Sequence, residues 1–138
     1  MIKIVDYELK HLLELRPSSC HLGEEHVNEI SSPAVSFIHN GHAIAIFGGF
    51  MLAPKVMQVW GLVSDGVKKK PLAFHKAMKL MLEHVMESRE LNRMQMSVRT
   101  GQPAAWKWAV ALGFKCEGKM LKYGVDGTDY FLFARVAQ

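Results

Sequence analysis

Lys68, Lys69 and Lys70 stand in a row immediately before Pro71, and Ser64-Asp65-Gly66-Val67 leads into them. A proline suits the first position of a helix, because its missing N–H is one of the donors that no helical carbonyl reaches. The other free N–H groups of a helix start, at the positive end of its dipole, attract anions, and three ammonium groups strengthen that field. The stretch therefore offers a cradle for a diphosphate; a solvated basic loop is the other outcome for such a run. Without these three, the 17 Lys and Arg fall to 14 against 13 Asp and Glu, so the net charge of +4 is local. That balance points to one anion site and not to a surface that coats nucleic acid.

Gly61 interrupts the apolar run 56–63. A glycine inside a strand marks a bulge or a close approach by another group. A bulge would turn a backbone N–H out of the ladder for a ligand carbonyl; crowding by Trp60 or a neighbouring helix is the alternative. His39 and His42 bracket Asn40-Gly41 and would face each other across a hairpin, but no third ligand accompanies them, so no metal site is assigned. By residue type alone, His39, Ser64, His75 and Tyr123 are the groups able to take a proton from a nucleophile. Cys20 and Cys116 lack the spacing of a zinc knuckle or a disulfide framework and suit the reducing conditions of a cytoplasm.

These residues need a frame. At 138 residues, 49% apolar and 22% charged, the chain has the profile of one soluble globular domain spanning 1–138. Its longest apolar stretch, 43–53, contains two glycines and stops at Pro54, well short of the roughly 18 residues of a membrane span. The first residues show no secretion signal. Residues 3–5 read as a strand. Asp6 is placed to cap a helix whose face is Leu9, Leu12 and Leu13 and which Pro17 ends. A second helix is expected over 22–30, closed by Ser31-Ser32-Pro33.

The period then changes. Strands 34–39 and 42–50 flank Asn40-Gly41, the strongest two-residue hairpin signal. Strand 56–63 follows, then a helix over 71–88 with Phe74, Met78, Met81, Leu82 and Val85 at helical spacing. Alternation over 94–99 makes a strand with two faces. Residues 103–112 form a short helix that Gly113 caps, with Trp106 and Trp108 on different faces. Strands 115–123 and 128–136 close the chain as a hairpin across Val125-Asp126-Gly127. The order β-α-α-β-β-β-α-β-α-β-β describes a mixed α+β (α/β) fold, a central mixed sheet flanked by helices. A right-handed crossover makes 56–63 and 94–99 parallel.

The segment Gln102-Pro103-Ala104-Ala105-Trp106-Lys107-Trp108-Ala109-Val110-Ala111-Leu112-Gly113-Phe114 resembles the strand, short helix and Gly-Phe signature of the GNAT N-acetyltransferases. With the element order on either side, the likeness runs over about 34–136. It implies a GNAT fold, acetyl-CoA as cofactor and transfer of acetyl to an amine, on a small molecule or a protein. By the same resemblance, Gly61, Leu62 and Val63 lie on the strand that binds the acetyl carbonyl and pantetheine. Gly66, Val67, Lys68, Lys69, Lys70 and Leu72 belong to the pyrophosphate loop. Strand 94–99 splays away to admit pantetheine, and helix 103–112 flanks the thiol end.

The departures are chemical. Lysines stand where the family's loop has glycines, and Pro71 removes a donor. Ala109 takes the position of the tyrosine that many members use as acid, and strand 56–63 holds no carboxylate. A thiol pKa near 8.5 still lets coenzyme A leave without an acid. A second likeness joins Val59-Trp60-Gly61-Leu62-Val63-Ser64-Asp65 to Lys70-Pro71-Leu72-Ala73-Phe74. It resembles the GNAT-like internal virion protein A family of short-tailed bacteriophages, tied to assembly of the ejected core proteins. That implies other virion proteins as partners and a location in the host cytoplasm or the virion, with the fold kept as a scaffold, the acetyl-CoA cleft degenerate and acetyl transfer lost. Neither resemblance implies a nucleic-acid or membrane partner, and self-association is left open.

Overall fold

The computed structural model describes residues 2–15, 20–22 and 33–138. In chain order its elements are β1 (Ile2–Asp6), α1 (Leu9–Leu15), β2 (Cys20–Leu22), β3 (Ala34–His39), β4 (His42–Ala53), β5 (Val56–Val63), a 3-10 helix (Asp65–Lys69), α2 (Pro71–Ser88), β6 (Arg93–Arg99), α3 (Pro103–Ala111), β7 (Lys115–Met120) and β8 (Tyr130–Val136). Seven strands form one mixed sheet in the order β1-β3-β4-β5-β6-β8-β7, and β2 adds to β5. Among the described residues only β5 and β6 run parallel, joined over α2 as the periodicity predicts. Among the described residues no helix is long and apolar enough to cross a membrane.

Local chemistry explains the centre of the sheet. Asn40 and Gly41 both take positive φ, 51° and 78°, so β3 and β4 meet in the two-residue turn that this pair favours. Lys55 (φ 65°) ends a second tight turn, from β4 into β5. Two register shifts set off Ile44 and Leu52 of β4 as extra residues, and each local kink re-aims the strand. On one face of the sheet, Phe74, Met78 and Leu82 of α2 and Ala105 and Ala109 of α3 pack against Phe37, Phe47, Met94, Met96, Val98 and Phe133. A smaller cluster, Leu15, Ile46, Trp60 and Leu62, with Leu12 against it, packs α1 on the other face.

Three expectations change near the ends. Asp6 is the last residue of β1; the helix start is held by His11, whose Nδ1 accepts the Glu8 N–H at 3.0 Å. His11 and Leu15 are buried while Leu9 and Leu13 are exposed, so the inward face of α1 is rotated from the leucine stripe. Leu22 lies in a strand, not at a helix start, and 23–32, with Ser31 and Ser32 of the expected stop, fall outside the described residues. The terminal strands are shorter than the alternation predicts, ending at Met120 and restarting at Tyr130. Between them, Asp129 Oδ1 accepts the Lys122 N–H at 2.8 Å and the Gly124 N–H bonds to Thr128 O at 3.0 Å, which closes a loop in place of a ladder.

Candidate functional site

The two edges of β5 are unequal. The Ser64 N–H donates to Ile44 O at 3.0 Å, which turns the even-numbered residues of β5, Leu62 among them, toward β4. Backbone groups alternate along a strand, so Gly61 and Val63 turn theirs to the opposite edge. There β6 pairs only with Val56, Met57 and Gln58 and then departs, which opens a wedge beside the C-terminal half of β5. A polar chain holds the closed end. Gln95 Nε2 donates to Gln58 Oε1 at 3.1 Å, Arg93 Nε to Gln95 Oε1 at 2.8 Å, and the Arg93 guanidinium grips both oxygens of Glu117 at 3.0 and 2.6 Å. Glu117 is the bulged residue of β7, and its carboxyl is held below the usual range by those bonds.

Into the open part comes β2, antiparallel, with Leu22 opposite Gly61 and Cys20 opposite Val63. It also lies beside β6 and α3. Gly61 is therefore paired on both sides, with Phe47 across β4 and no register shift, and the bulge that would have freed its N–H is not formed. Crowding is the reason for the glycine. A Cβ there would meet the Phe47 ring at 2.2 to 3.0 Å. The crowding group is Phe47, not Trp60, and its ring joins Phe37, Phe74 and Trp108 at centroid distances of 5.6 to 6.3 Å, bridging α2 and α3. Trp106 covers Phe131 and Phe133, so both tryptophans contact core aromatics.

The turn after β5 is tightly bonded. Ser64 Oγ donates to Ile44 O at 3.0 Å and accepts the Gly66 N–H at 3.2 Å, so this hydroxyl caps the 3-10 helix and is not poised as a base. Gly66 lies against the bulged Ile44, where a Cβ would approach Ile44 Cγ2 to 2.7 Å. Val67 packs into the larger core. Lys68 pairs with Asp65 at 3.3 Å, and Lys69 and Lys70 are exposed. Lys70 gives α2 no side-chain cap, and Leu72 beside it is 84% exposed. The N–H groups of Leu72 and Ala73 have no helical acceptor. Cations ahead of a positive helix end are unfavourable unless an anion lies between them.

The opposite wall is apolar. Ala109 is fully buried, and its carbonyl accepts the Phe114 N–H at 3.1 Å beyond the left-handed Gly113 (φ 94°). The remaining proton-accepting candidates are scattered. His39 faces His42 across the hairpin, but His42 Nδ1 is engaged by Glu14 Oε2 at 3.1 Å. His75 is the fifth residue of α2, and Tyr123 packs edge-on to Tyr130. Among the described residues no three His, Cys, Asp or Glu converge as a metal site. A cluster that the sequence did not reveal closes the open end of β6: Arg99 bonds to Asp126, to Thr128 Oγ1 at 2.9 Å and to the Tyr130 hydroxyl at 3.4 Å. Its members come from β6, from the loop before β8 and from the first residue of β8, whose pairing only the register supplies.

No protein-family model and no curated protein matches the sequence. Solved structures match in shape. A chimera of the spermidine N-acetyltransferase SpeG from Vibrio cholerae with hSSAT has a TM-score of 0.77 at 11% identity, over 98% of this chain and 95% of that one. Ard1 from Thermoplasma volcanium has a TM-score of 0.76 at 10% identity, over 99% and 98%. A GNAT-family acetyltransferase from Bacillus anthracis has a TM-score of 0.64 at 13% identity, over 75% of this chain and 65% of that one. At such identities the likeness concerns architecture. This chain has the GNAT fold.

Proposed function

We propose that the chain is an acetyl-CoA-dependent N-acetyltransferase acting on an amine. The observation that carries this reading is the wedge between β5 and β6, which opens toward the uncapped start of α2 and its lysines. The Leu72 and Ala73 N–H groups, with Lys69 and Lys70, would hold the diphosphate. Acetyl-CoA bound there would supply the acyl group as a thioester. The Gly61 and Val63 N–H groups face the wedge, where one of them would hold the thioester carbonyl and favour the negative charge that develops on it. The chain offers no acid at Ala109, so water or an amine would protonate a leaving thiolate whose pKa is near 8.5. The fit is good at the phosphate end and obstructed at the thioester end, where β2 takes the same backbone edge.

That obstruction, with the buried Ala109, favours a second reading: a virion structural or assembly protein that keeps the fold as scaffold and contacts other virion proteins. Thermal denaturation with acetyl-CoA separates the two. Ligand at about 100 times its Kd adds about 2.7 kcal/mol, a rise of several degrees for a domain of this size. A melting temperature unchanged by millimolar acetyl-CoA would overturn the transferase reading and leave the scaffold.

A further inference from the structure

The wedge beside β5 recognises an extended chain that carries amides. Val63 and Gly61 present two N–H donors and two C=O acceptors along one edge, and Cys20 and Leu22 are in register with them. A pantetheine arm has the same chemistry, two amides on an extended chain. We infer that β2 and such an arm are mutually exclusive occupants of this edge, so that Cys20–Leu22 is a built-in competitor that closes the cleft until a ligand displaces it. The inference rests on the acyl-CoA reading given above.

Geometry supports exclusion over coexistence. The other edge of β5 is taken, since Ala45, Ile46 and Phe47 of β4 pair with Val63, Leu62 and Gly61. Gly61 and Val63 cannot serve two partners on the wedge side, because each N–H makes one good bond. On the α2–α3 face the Phe47, Phe74 and Trp108 rings lie together. A ligand must then be tight enough to displace β2. If the cleft is open in about one molecule in ten, its apparent affinity is about tenfold weaker than the open cleft would give.

The test uses the whole chain. Amide hydrogen exchange on the protein without ligand reads β2 directly: the Gly61 and Val63 amides are expected to be protected, as the β4-paired Leu62 amide is. Rapid exchange at Gly61 and Val63 beside a protected Leu62 would overturn the inference. Leu22→Pro removes a ladder donor and should release both amides while tightening coenzyme A binding about tenfold by calorimetry. Cys20→Pro does the same opposite Val63 if Leu22→Pro folds poorly, and Leu22→Ala, which keeps its N–H, should leave the amides protected. Equal affinity in variant and wild type, with protection lost, would overturn the competition and leave the acyl-CoA reading standing. Binding by neither would overturn that reading, and the amide protection would still report whether β2 holds the edge.

Discussion

β5 behaves as two different strands along its two edges. Toward β4 it is paired over its whole length, from Val56 to Val63, and the Phe47 ring seals Gly61 from that side. Toward β6 it is paired for three residues, held there by Gln58, Gln95 and Arg93, and then changes partner to β2. The first edge is continuous with the core, so disturbing it should cost stability. The second is a seam between a paired end and an exchangeable one, so disturbing it should change binding first. One strand thus acts as a wall on one side and as a slot on the other.

The largest expected effect tests the wall. Phe47→Ala removes a buried ring from the aromatic cluster and should cost about 3–5 kcal/mol in urea unfolding. Gly61→Val forces a side chain into that same ring and should cost about 1–3 kcal/mol by overpacking. Combined, the two should cost clearly less than their sum, because the valine occupies space that the ring has left. Additive costs would break the comparison, since Gly61 would then owe its place to the slot and not to the wall.

A smaller effect sharpens the slot. Lys68, Lys69 and Lys70 replaced together by alanine should weaken coenzyme A binding and flatten its dependence on salt, because exposed lysines act as screened charges. Stability should move by no more than about 0.5 kcal/mol, as the three side chains are exposed. Unchanged affinity at low salt would leave the run a solvated face and would remove the phosphate end from the cleft.

The wall was more legible in the sequence than the slot, for a physical reason. Periodicity reports burial, and α2 falls at Pro71–Ser88, the range that its apolar spacing predicts. The Asn-Gly turn and the strands on either side of it were equally plain, because turn chemistry is local. Gly61 was legible as a special position but not as a consequence of Phe47. That pairing depends on where β4 bulges, and nothing in Met51-Leu52-Ala53 marks the extra residue. The leucine stripe of α1 misled because His11 takes a buried place by bonding to the helix start. β2 carried no signal either. Three residues are too few for a period, and its partner lies some forty positions on.

The smallest effect concerns the two ends of β6, which are strapped alike although one end is paired to β5 and the other is parted from it. Arg93 holds Glu117 at the closed end and Arg99 holds Asp126 at the open end. Asp126 is held far below the usual carboxylate range by bonds from Arg99, from the Thr128 hydroxyl and from the Thr128 N–H. A carboxylate whose folded pKa is depressed contributes stability above its unfolded pKa, near 3.9, and loses it as the pH falls through the folded value. Asp126→Asn can keep one oxygen as acceptor for the Thr128 N–H, but it removes the charge and puts an NH2 donor where an oxygen accepts from Arg99. The wild type should therefore melt slightly higher than Asp126→Asn at pH 5–7, with a constant gap that narrows as the pH drops below about 4. The pair is solvent-exposed, so the gap should be small and should shrink in about 1 M salt. No gap at any pH would mean that Arg99 is organised by Tyr130 and not by Asp126. The open end of β6 would then be held by packing, unlike the charged strap at its closed end.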